Sequence, residues 1–198
     1  DWDANAAEKA GYEHFMLKEI YEQPKTINDT ISPRIKDNDI VIEELNMSDE
    51  EIKEITKIHI VACGSAYHTG VTAKYVIEGL ARIPVEVDVA SEFRYRDPIL
   101  QKGNMVIVIS QSGETADTLA ALRESRERGF KVLGIVNVVG SSIAREADSV
   151  MYTWAGPEIA VATTKAYSAQ LTALYMLAMK FARVRGTIDQ EKFAGMLT

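Results

Sequence analysis

Five short apolar runs, separated by helical stretches, constrain the fold of this chain more than any other feature. The runs begin at Lys57, Val85, Met105, Lys131 and Ser149. Within most of them apolar residues follow one another with little polar alternation, which is typical of strands buried on both faces. Such strands alternating with helices form a parallel sheet with helices on both sides. The sequence therefore predicts a three-layer α/β/α sandwich around a five-stranded parallel sheet.

The first 56 residues are predicted to be a charged, helical lead-in that packs on the domain of residues 57–198 as one compact unit. A helix is predicted from Glu8 to Gln23, because its apolar residues recur at helical spacing. Pro24 is expected to end that helix, with a second short helix after it. Ser48 and Glu51 have the spacing of a capping box, which predicts a further short helix.

The composition is that of an acidic globular chain. Of 198 residues, 46% are hydrophobic and 26% are charged, and the formal net charge is -7. This balance argues against the basic groove that nucleic-acid binding requires. The single cysteine excludes an internal disulfide, the start of the sequence lacks a signal-peptide pattern, and the most apolar stretch, residues 166–182, contains polar side chains. We therefore expect a cytoplasmic protein with no nucleic-acid partner and no membrane span.

The strongest candidate site is the hexapeptide Ser110–Thr115, which follows the predicted strand Met105–Ile109. Ligands in open parallel sheets bind beyond the carboxyl ends of the strands. The hexapeptide opens a helix, whose unpaired N–H groups and dipole suit an anion. Its four polar candidates are Ser110, Gln111, Ser112 and Thr115. The hydroxyls could simply cap the helix, but four candidate donors exceed what a cap needs, so the segment is interpreted as a phosphate-binding loop.

Two further segments follow predicted strands. Gly64 allows a close backbone approach after the first strand, and Ser65 offers a hydroxyl there. Before the last long helix, Thr163 or Thr164 would serve as the helix cap. Lys165 is expected to face solvent in the first turn of that helix, where the dipole is mildly unfavourable to a cation.

Cysteine and histidine give no sign of a metal site in the sequence. Cys63 ends an apolar strand without a cationic neighbour in sequence and is interpreted as a small core residue. His14 and His68 have no partner at the spacing of metal ligands, so no metal site is predicted. His59 lies inside the first strand and is expected to be packed there or to lie at an edge.

Several motifs together resemble one family, the glutamine–fructose-6-phosphate aminotransferases or glucosamine-6-phosphate synthases. The matching motifs, in chain order, are EHFMLKEIYEQP, CGS, SEFRYRDP, SQSGET and AVATTKAYSAQL. The first of them is similar to the start of the isomerase region of these enzymes, and the resemblance covers essentially the whole chain. It implies a sugar isomerase (SIS) domain, which has a flavodoxin-like fold.

The resemblance also implies a function. Family members carry a glutaminase domain followed by two SIS domains, and they convert fructose 6-phosphate and glutamine into glucosamine 6-phosphate and glutamate without a metal or organic cofactor. This chain resembles the first SIS domain alone, and homodimerisation fits the family. The residues that open the sugar ring and move its protons lie outside the matching region. The chain is therefore expected to bind hexose 6-phosphates, to contain no catalytic residue and to convert nothing by itself.

Site residues carry over from the family position by position. Those matching the phosphate loop are Ser110, Gln111, Ser112 and Thr115. Ser65 matches a hydroxyl that contacts the sugar phosphate, and Val161 and Thr163 match a sugar-binding segment. Ala66 stands where the family commonly has serine, so the hydroxyl of that position is absent here.

Two other functions remain open at the level of sequence. SIS domains also act as regulatory sugar-phosphate sensors beside DNA-binding domains, although the lead-in has no helix-turn-helix pattern with a basic recognition helix. A mainly structural dimerisation domain is the other alternative. The long helix from Thr164 is apolar nearly all round and must be buried in a core or an interface. Dimerisation would not exclude sugar binding.

Overall fold

The computed structural model describes residues 8–197 of the chain. The lead-in contains α1 (Phe15–Ile31), a 3-10 turn (Ser32–Arg34), β1 (Ile35–Lys36), β2 (Asp39–Ile40), a second 3-10 turn (Glu43–Leu45) and α2 (Asp49–Lys53). The rest comprises β3 (Lys57–Ala62), α3 (Gly64–Leu80), β4 (Val85–Val89), α4 (Ala90–Tyr95), β5 (Asn104–Ser110), α5 (Ala116–Glu127), β6 (Lys131–Val136), α6 (Ser142–Glu146), β7 (Ser149–Tyr152), α7 (Lys165–Arg185) and α8 (Gln190–Met196).

Strands β3 to β7 form one parallel sheet in the order β4-β3-β5-β6-β7. The chain passes from β3 to β4 on one side and then returns to β5 on the other side of β3. The carboxyl ends of β3 and β5 therefore form the switch point at which ligand clefts of open sheets lie. The predicted α/β/α sandwich with five parallel strands is confirmed.

Helices cover both faces of the sheet, which explains why its central strands lack polar alternation. Successive side chains of a strand point to opposite faces. Accordingly Ile60 and Ile107 belong to the core cluster shared with α3 and α7, whereas Val61 and Val108 belong to the cluster shared with α4 and α5. Both faces of the central strands are thus removed from water.

Helix α1 differs from the prediction, because it begins at Phe15 and continues through Pro24 to Ile31. A proline inside a helix cannot donate to the carbonyl four residues earlier. That carbonyl, on Ile20, accepts a hydrogen bond from the side-chain amide of Gln23 at 3.1 Å. The helix also packs along α7. A local replacement donor and tertiary packing together carry the helix past its proline.

The lead-in also contains a small hairpin that the sequence analysis missed. Strands β1 and β2 pair antiparallel around Asp37 and Asn38, whose φ angles are 51° and 58°. Two successive residues with positive φ define a type I′ turn, for which Asp and Asn are suitable residues.

The predicted capping box is present at the start of α2. The backbone N–H of Glu51 donates to Ser48 Oγ at 3.2 Å, and the Ser48 N–H donates to Glu51 Oε2 at 2.8 Å.

Helix α7 is buried within this chain, where it packs against α1, α3 and the sheet. Its side chains at Ala173, Leu177 and Phe181 are fully buried. It ends at Gly186, whose φ of 66° suits a residue without Cβ. Among residues 8–197, no helix combines the length and the apolar character needed to cross a membrane.

Candidate functional site

The loop from Ser110 to Thr115 joins β5 to α5 and is organised by its own hydroxyls. Ser110 is 3% exposed; its Oγ accepts from the Gly113 N–H at 3.0 Å and lies 2.9 Å from Thr115 Oγ1. Ser112 Oγ accepts from the Glu114 N–H at 3.2 Å. A hydroxyl that accepts still has its hydrogen to donate. The Ser112 hydroxyl, and one hydroxyl of the Ser110–Thr115 pair, can therefore donate to a ligand.

Contacts with α6 fix the position of this loop. Gly113 has a φ of 67°, and a Cβ at this position would overlap the side chain of Ser141. The Gly113 carbonyl accepts from the Ile143 N–H at 3.0 Å. The Glu114 carboxylate accepts from the Ser142 N–H at 2.7 Å, and this contact lowers the pKa of Glu114 below its ordinary value. The one acidic side chain of the loop is thus engaged with α6.

Helices α3 and α5 begin at neighbouring strand ends, and neither has a side-chain cap at its N-terminus. The N-cap residues, Cys63 for α3 and Thr115 for α5, make no capping hydrogen bond through their side chains. The two helix starts lie close together, with Thr118 Oγ1 3.8 Å from Cys63 Sγ. Open N–H groups and the positive ends of two dipoles favour an anion at this edge. Ser65, which is exposed in the first turn of α3, lies at the same edge.

Val161 and Thr163 lie apart from that edge, in the irregular segment before α7. Val161 is fully exposed and Thr163 is half-buried. Within residues 8–197, no hydrogen bond connects either residue to Ser65 or to the Ser110–Thr115 loop. The structure therefore brings five predicted site residues to the ends of β3 and β5 and leaves the other two on an adjoining segment.

Asn137, which the sequence analysis missed, connects the loop with that segment. Its backbone N–H donates to the Gln111 carbonyl at 3.1 Å. Its side-chain amide donates to the Gly156 carbonyl at 2.7 Å and accepts from the Ala155 N–H at 2.8 Å. Asn137 is buried and follows β6 directly. A polar residue immediately after an apolar run was the signal that could have identified it.

The start of α7 is capped by a carboxylate rather than left open. Glu158 Oε1 accepts from the backbone N–H groups of Thr164 at 3.0 Å and Ala166 at 3.2 Å. Burial raises the pKa of Glu158 above its ordinary value, and the negative charge of Glu19 adds to this effect. Two of the N–H groups that could attract an anion at this helix are therefore already paired with a carboxylate.

The expectation that Lys165 faces solvent is wrong. The residue is 3% exposed, and its Nζ lies 2.7 Å from Glu22 Oε2 on α1. The dipole of α7 disfavours a cation there, but a nearby carboxylate compensates for it. The ion pair joins residues 143 positions apart in sequence, so local sequence gave no sign of it.

His59, Glu86 and Asp88 form a group whose potential metal-ligand atoms lie within 4.8 Å of one another. Both carboxylates already have cationic partners. Lys57 Nζ lies 2.5 Å from Glu86 Oε2, and Arg96 Nη2 lies 2.8 Å from Asp88 Oδ2. Burial, and then the charge of Lys57, lowers the pKa of His59. A metal would have to displace two cations, so the group is interpreted as an ion-pair network beside a buried histidine.

A cleft of about 1050 Å³ opens next to the site rather than over it. It lies between the end of α1 and the ends of β6 and β7, and its walls include Pro33, Asn137, Val139 and Trp154. None of the seven predicted site residues is among its lining residues. The candidate site is therefore defined by N–H and hydroxyl donors at the strand ends, not by the volume of this cleft.

Comparisons with known proteins agree with the motifs. A sequence profile described as the SIS domain matches residues 51–180. The chain is 62% identical over 192 residues to a glutamine–fructose-6-phosphate aminotransferase [isomerizing] of Clostridium tetani, covering 96% of the chain and 32% of that protein. It is 61% identical over 203 residues to the Clostridium acetobutylicum enzyme of the same name, covering 100% of the chain and 33% of that protein. The resemblance inferred from the motifs is confirmed.

A solved structure shows the same relationship. The C-terminal domain of glucosamine-fructose-6-phosphate aminotransferase from Francisella tularensis superposes with a TM-score of 0.90 at 42% identity. The superposition covers 96% of this chain and 53% of the solved chain. The chain spans about a third of the length of the curated relatives it matches.

Proposed function

This chain belongs to the SIS domain family, and we propose that it binds the phosphate of a hexose 6-phosphate at the Ser110–Thr115 loop. The uncapped start of α5 carries this proposal: the N-cap side chain of Thr115 makes no capping bond, and the hydroxyls around it can donate. Neutral donors and a helix N-terminus are sufficient to hold a phosphate without a lysine cluster. This arrangement suits a chain with a net charge of -7.

The ligands proposed are fructose 6-phosphate and glucosamine 6-phosphate. Relatives more than 60% identical are named as aminotransferases acting on fructose 6-phosphate, which supports the choice of sugar. In this proposal the phosphate lies against Ser110, Gln111, Ser112 and Thr115. Ser65 on α3 contacts the sugar phosphate, and Val161 and Thr163 contact the sugar.

The complete protein is proposed to be a glutamine–fructose-6-phosphate aminotransferase that makes glucosamine 6-phosphate in the cytoplasm. This chain would be its first SIS domain, with a glutaminase domain and a second SIS domain in the remaining two-thirds. Homodimerisation is part of the proposal, and the exposed side chains of Met16, Ile20 and Tyr21 on α1 support it. Sedimentation of the isolated chain tests for a dimer directly.

Calorimetric titration tests the ligand. Fructose 6-phosphate and glucosamine 6-phosphate should bind, and unphosphorylated fructose should bind at least tenfold more weakly, which corresponds to roughly 1.4 kcal/mol. If free fructose bound as well as its phosphate, the assignment of the loop would be wrong.

The division of labour has its own test. Moving a proton between C1 and C2 of the sugar requires a positioned base with a suitable pKa, and we assign none to this chain. The isolated chain, incubated with fructose 6-phosphate and ammonia, should form no glucosamine 6-phosphate above the blank. Measurable turnover would show that the chain contains catalytic groups.

A further inference from the structure

The short arch Val161–Thr163 is held at its two ends by carboxylates, one of which comes from the lead-in. On the N-terminal side, Glu19 Oε1 of α1 accepts from the backbone N–H groups of Ile159 at 2.6 Å and Ala160 at 3.1 Å. On the C-terminal side, Glu158 caps α7. Among the described residues, the arch itself takes part in no hydrogen bond. Its position therefore depends on the two ends.

Glu19 is placed unusually for a glutamate on a surface helix. The side chain is 2% exposed, and it reaches a backbone 140 residues away in sequence. A charged acceptor forms stronger hydrogen bonds to backbone N–H groups than a neutral one. Because Ile159 and Ala160 both donate to the same oxygen, Glu19 fixes the position and the direction of the backbone where it enters the arch.

Burying Glu19 costs free energy of folding, which indicates that the residue has a role besides filling space. Glu19 Oε2 is buried and has no hydrogen-bond partner within the described residues, and burying an unpaired polar atom destabilises the fold. The nearby carboxylate of Glu158 repels it as well. An apolar side chain at position 19 would avoid both costs but would lose the hydrogen bonds to the backbone at Ile159 and Ala160.

We infer that Glu19 is a positioning residue that sets the arch Val161–Thr163 in the place where it meets the sugar. The inference rests on the proposed function, because it assumes that the arch contacts the sugar while the Ser110–Thr115 loop holds the phosphate. The two contacts then depend on different residues. Glu19 governs affinity for the sugar part of the ligand and leaves the phosphate contact unchanged.

The test compares two ligands on three variants of the chain. Glu19→Ala removes the acceptor, and it should weaken fructose 6-phosphate binding about tenfold while changing inorganic phosphate binding less than about twofold. Glu19→Gln keeps a neutral acceptor and should weaken fructose 6-phosphate binding only about threefold. Glu13→Ala, an exposed glutamate just before α1, is the matched control and should change neither ligand.

The results separate this inference from the proposed function. Equal affinity of wild type for fructose and fructose 6-phosphate would overturn the proposed function itself. Normal wild-type binding with an unchanged Glu19→Ala variant would overturn the role of Glu19 alone, as would an equal loss of both ligands, which a general loss of structure would produce. If Glu19→Ala does not fold, the Glu19→Gln variant decides: a loss confined to the sugar phosphate supports the inference, and no loss contradicts it.

Discussion

The N-termini of α5 and α7 present the same backbone chemistry in two different states. At α7, the carboxylate of Glu158 accepts from two of the first N–H groups. At α5, Thr115 makes no side-chain cap, and the nearby carboxylate of Glu114 bonds to the start of α6 instead. A helix in which a carboxylate already accepts from two of the first N–H groups attracts a further anion less strongly.

The comparison shows which helix start can serve as a binding site in this fold. Hydroxyl-rich sequences precede both helices, so sequence alone suggests two similar candidates. Of these two helix starts, only that of α5 combines open N–H groups with a second uncapped helix, α3, at the neighbouring strand end. The start of α7 is instead a rigid anchor for the arch that precedes it.

The largest expected effect concerns the ion pair that secures the start of α7. Glu22→Ala leaves the buried ammonium of Lys165 without its carboxylate partner, and the free energy of unfolding should fall by about 3 kcal/mol. Urea denaturation measures the change. Glu13→Ala, at an exposed position, should change stability by less than about 0.5 kcal/mol. Similar small losses in both variants would mean that the anchor does not depend on this pair.

The next effect concerns the loop before α5. Gly113→Ala forces a side chain into a positive-φ position and against Ser141, and it should cost about 2 kcal/mol or more of stability. Gly79→Ala is the control, because nothing lies within 4 Å of its added Cβ. In the exposed last turn of α3, this change should be neutral or slightly stabilising. A Gly113→Ala variant as stable as Gly79→Ala would show that the loop is not held tightly against α6.

A smaller effect should appear in binding. Ser112→Ala removes one hydroxyl donor, and it should weaken fructose 6-phosphate binding by about 1–2 kcal/mol in calorimetry. The control is Thr72→Ala, whose hydroxyl bonds within α3 to the His68 carbonyl at 3.2 Å. Loss of affinity in the control, or none in Ser112→Ala, would place the phosphate elsewhere.

The smallest effect is a pH dependence at α7. Burial and then the charge of Glu19 raise the pKa of Glu158, against the hydrogen bonds from Thr164 and Ala166 and the charge of Lys165. The folded state therefore holds the proton of Glu158 more tightly than the unfolded chain does. This contribution to stability is fully present below the ordinary glutamate pKa of about 4.3 and is lost as pH rises through the higher value in the fold. Glu158→Gln, measured by thermal unfolding across this range, should lack that decline. An identical pH profile in both proteins would show that Glu158 does not titrate abnormally.

The sheet could be predicted from the sequence because its signal is local. The run Met105–Ile109 is apolar along its whole length, and in the structure it forms β5, which extends one residue further at each end. The prediction that α1 ends at Pro24 was wrong. The hydrophobic periodicity of the helix shows neither the Gln23 donor that replaces the missing N–H nor the packing against α7. The capping box at Ser48 succeeded because it depends on residues only three positions apart.

The candidate site was predictable only in part, for the same reason. The Ser110–Thr115 loop is contiguous in sequence, so its donors could be seen together. Asn137 and Glu19 act on backbone groups that are distant in the chain, and no short motif contains both members of either contact. Lys165 was placed wrongly because its partner, Glu22, lies on another helix. The contacts between different helices and strands could not be predicted from the sequence, because they form only in the folded chain.

Backbone amide shifts during a phosphate titration test the central claim most directly. With inorganic phosphate added, the N–H signals of residues 112–118 at the start of α5 should shift in a saturable manner. The N–H signals of Thr164 and Ala166, already bonded to Glu158, should stay in place. Shifts at the start of α7 without shifts at the start of α5 would contradict the account, and so would a titration that moves neither.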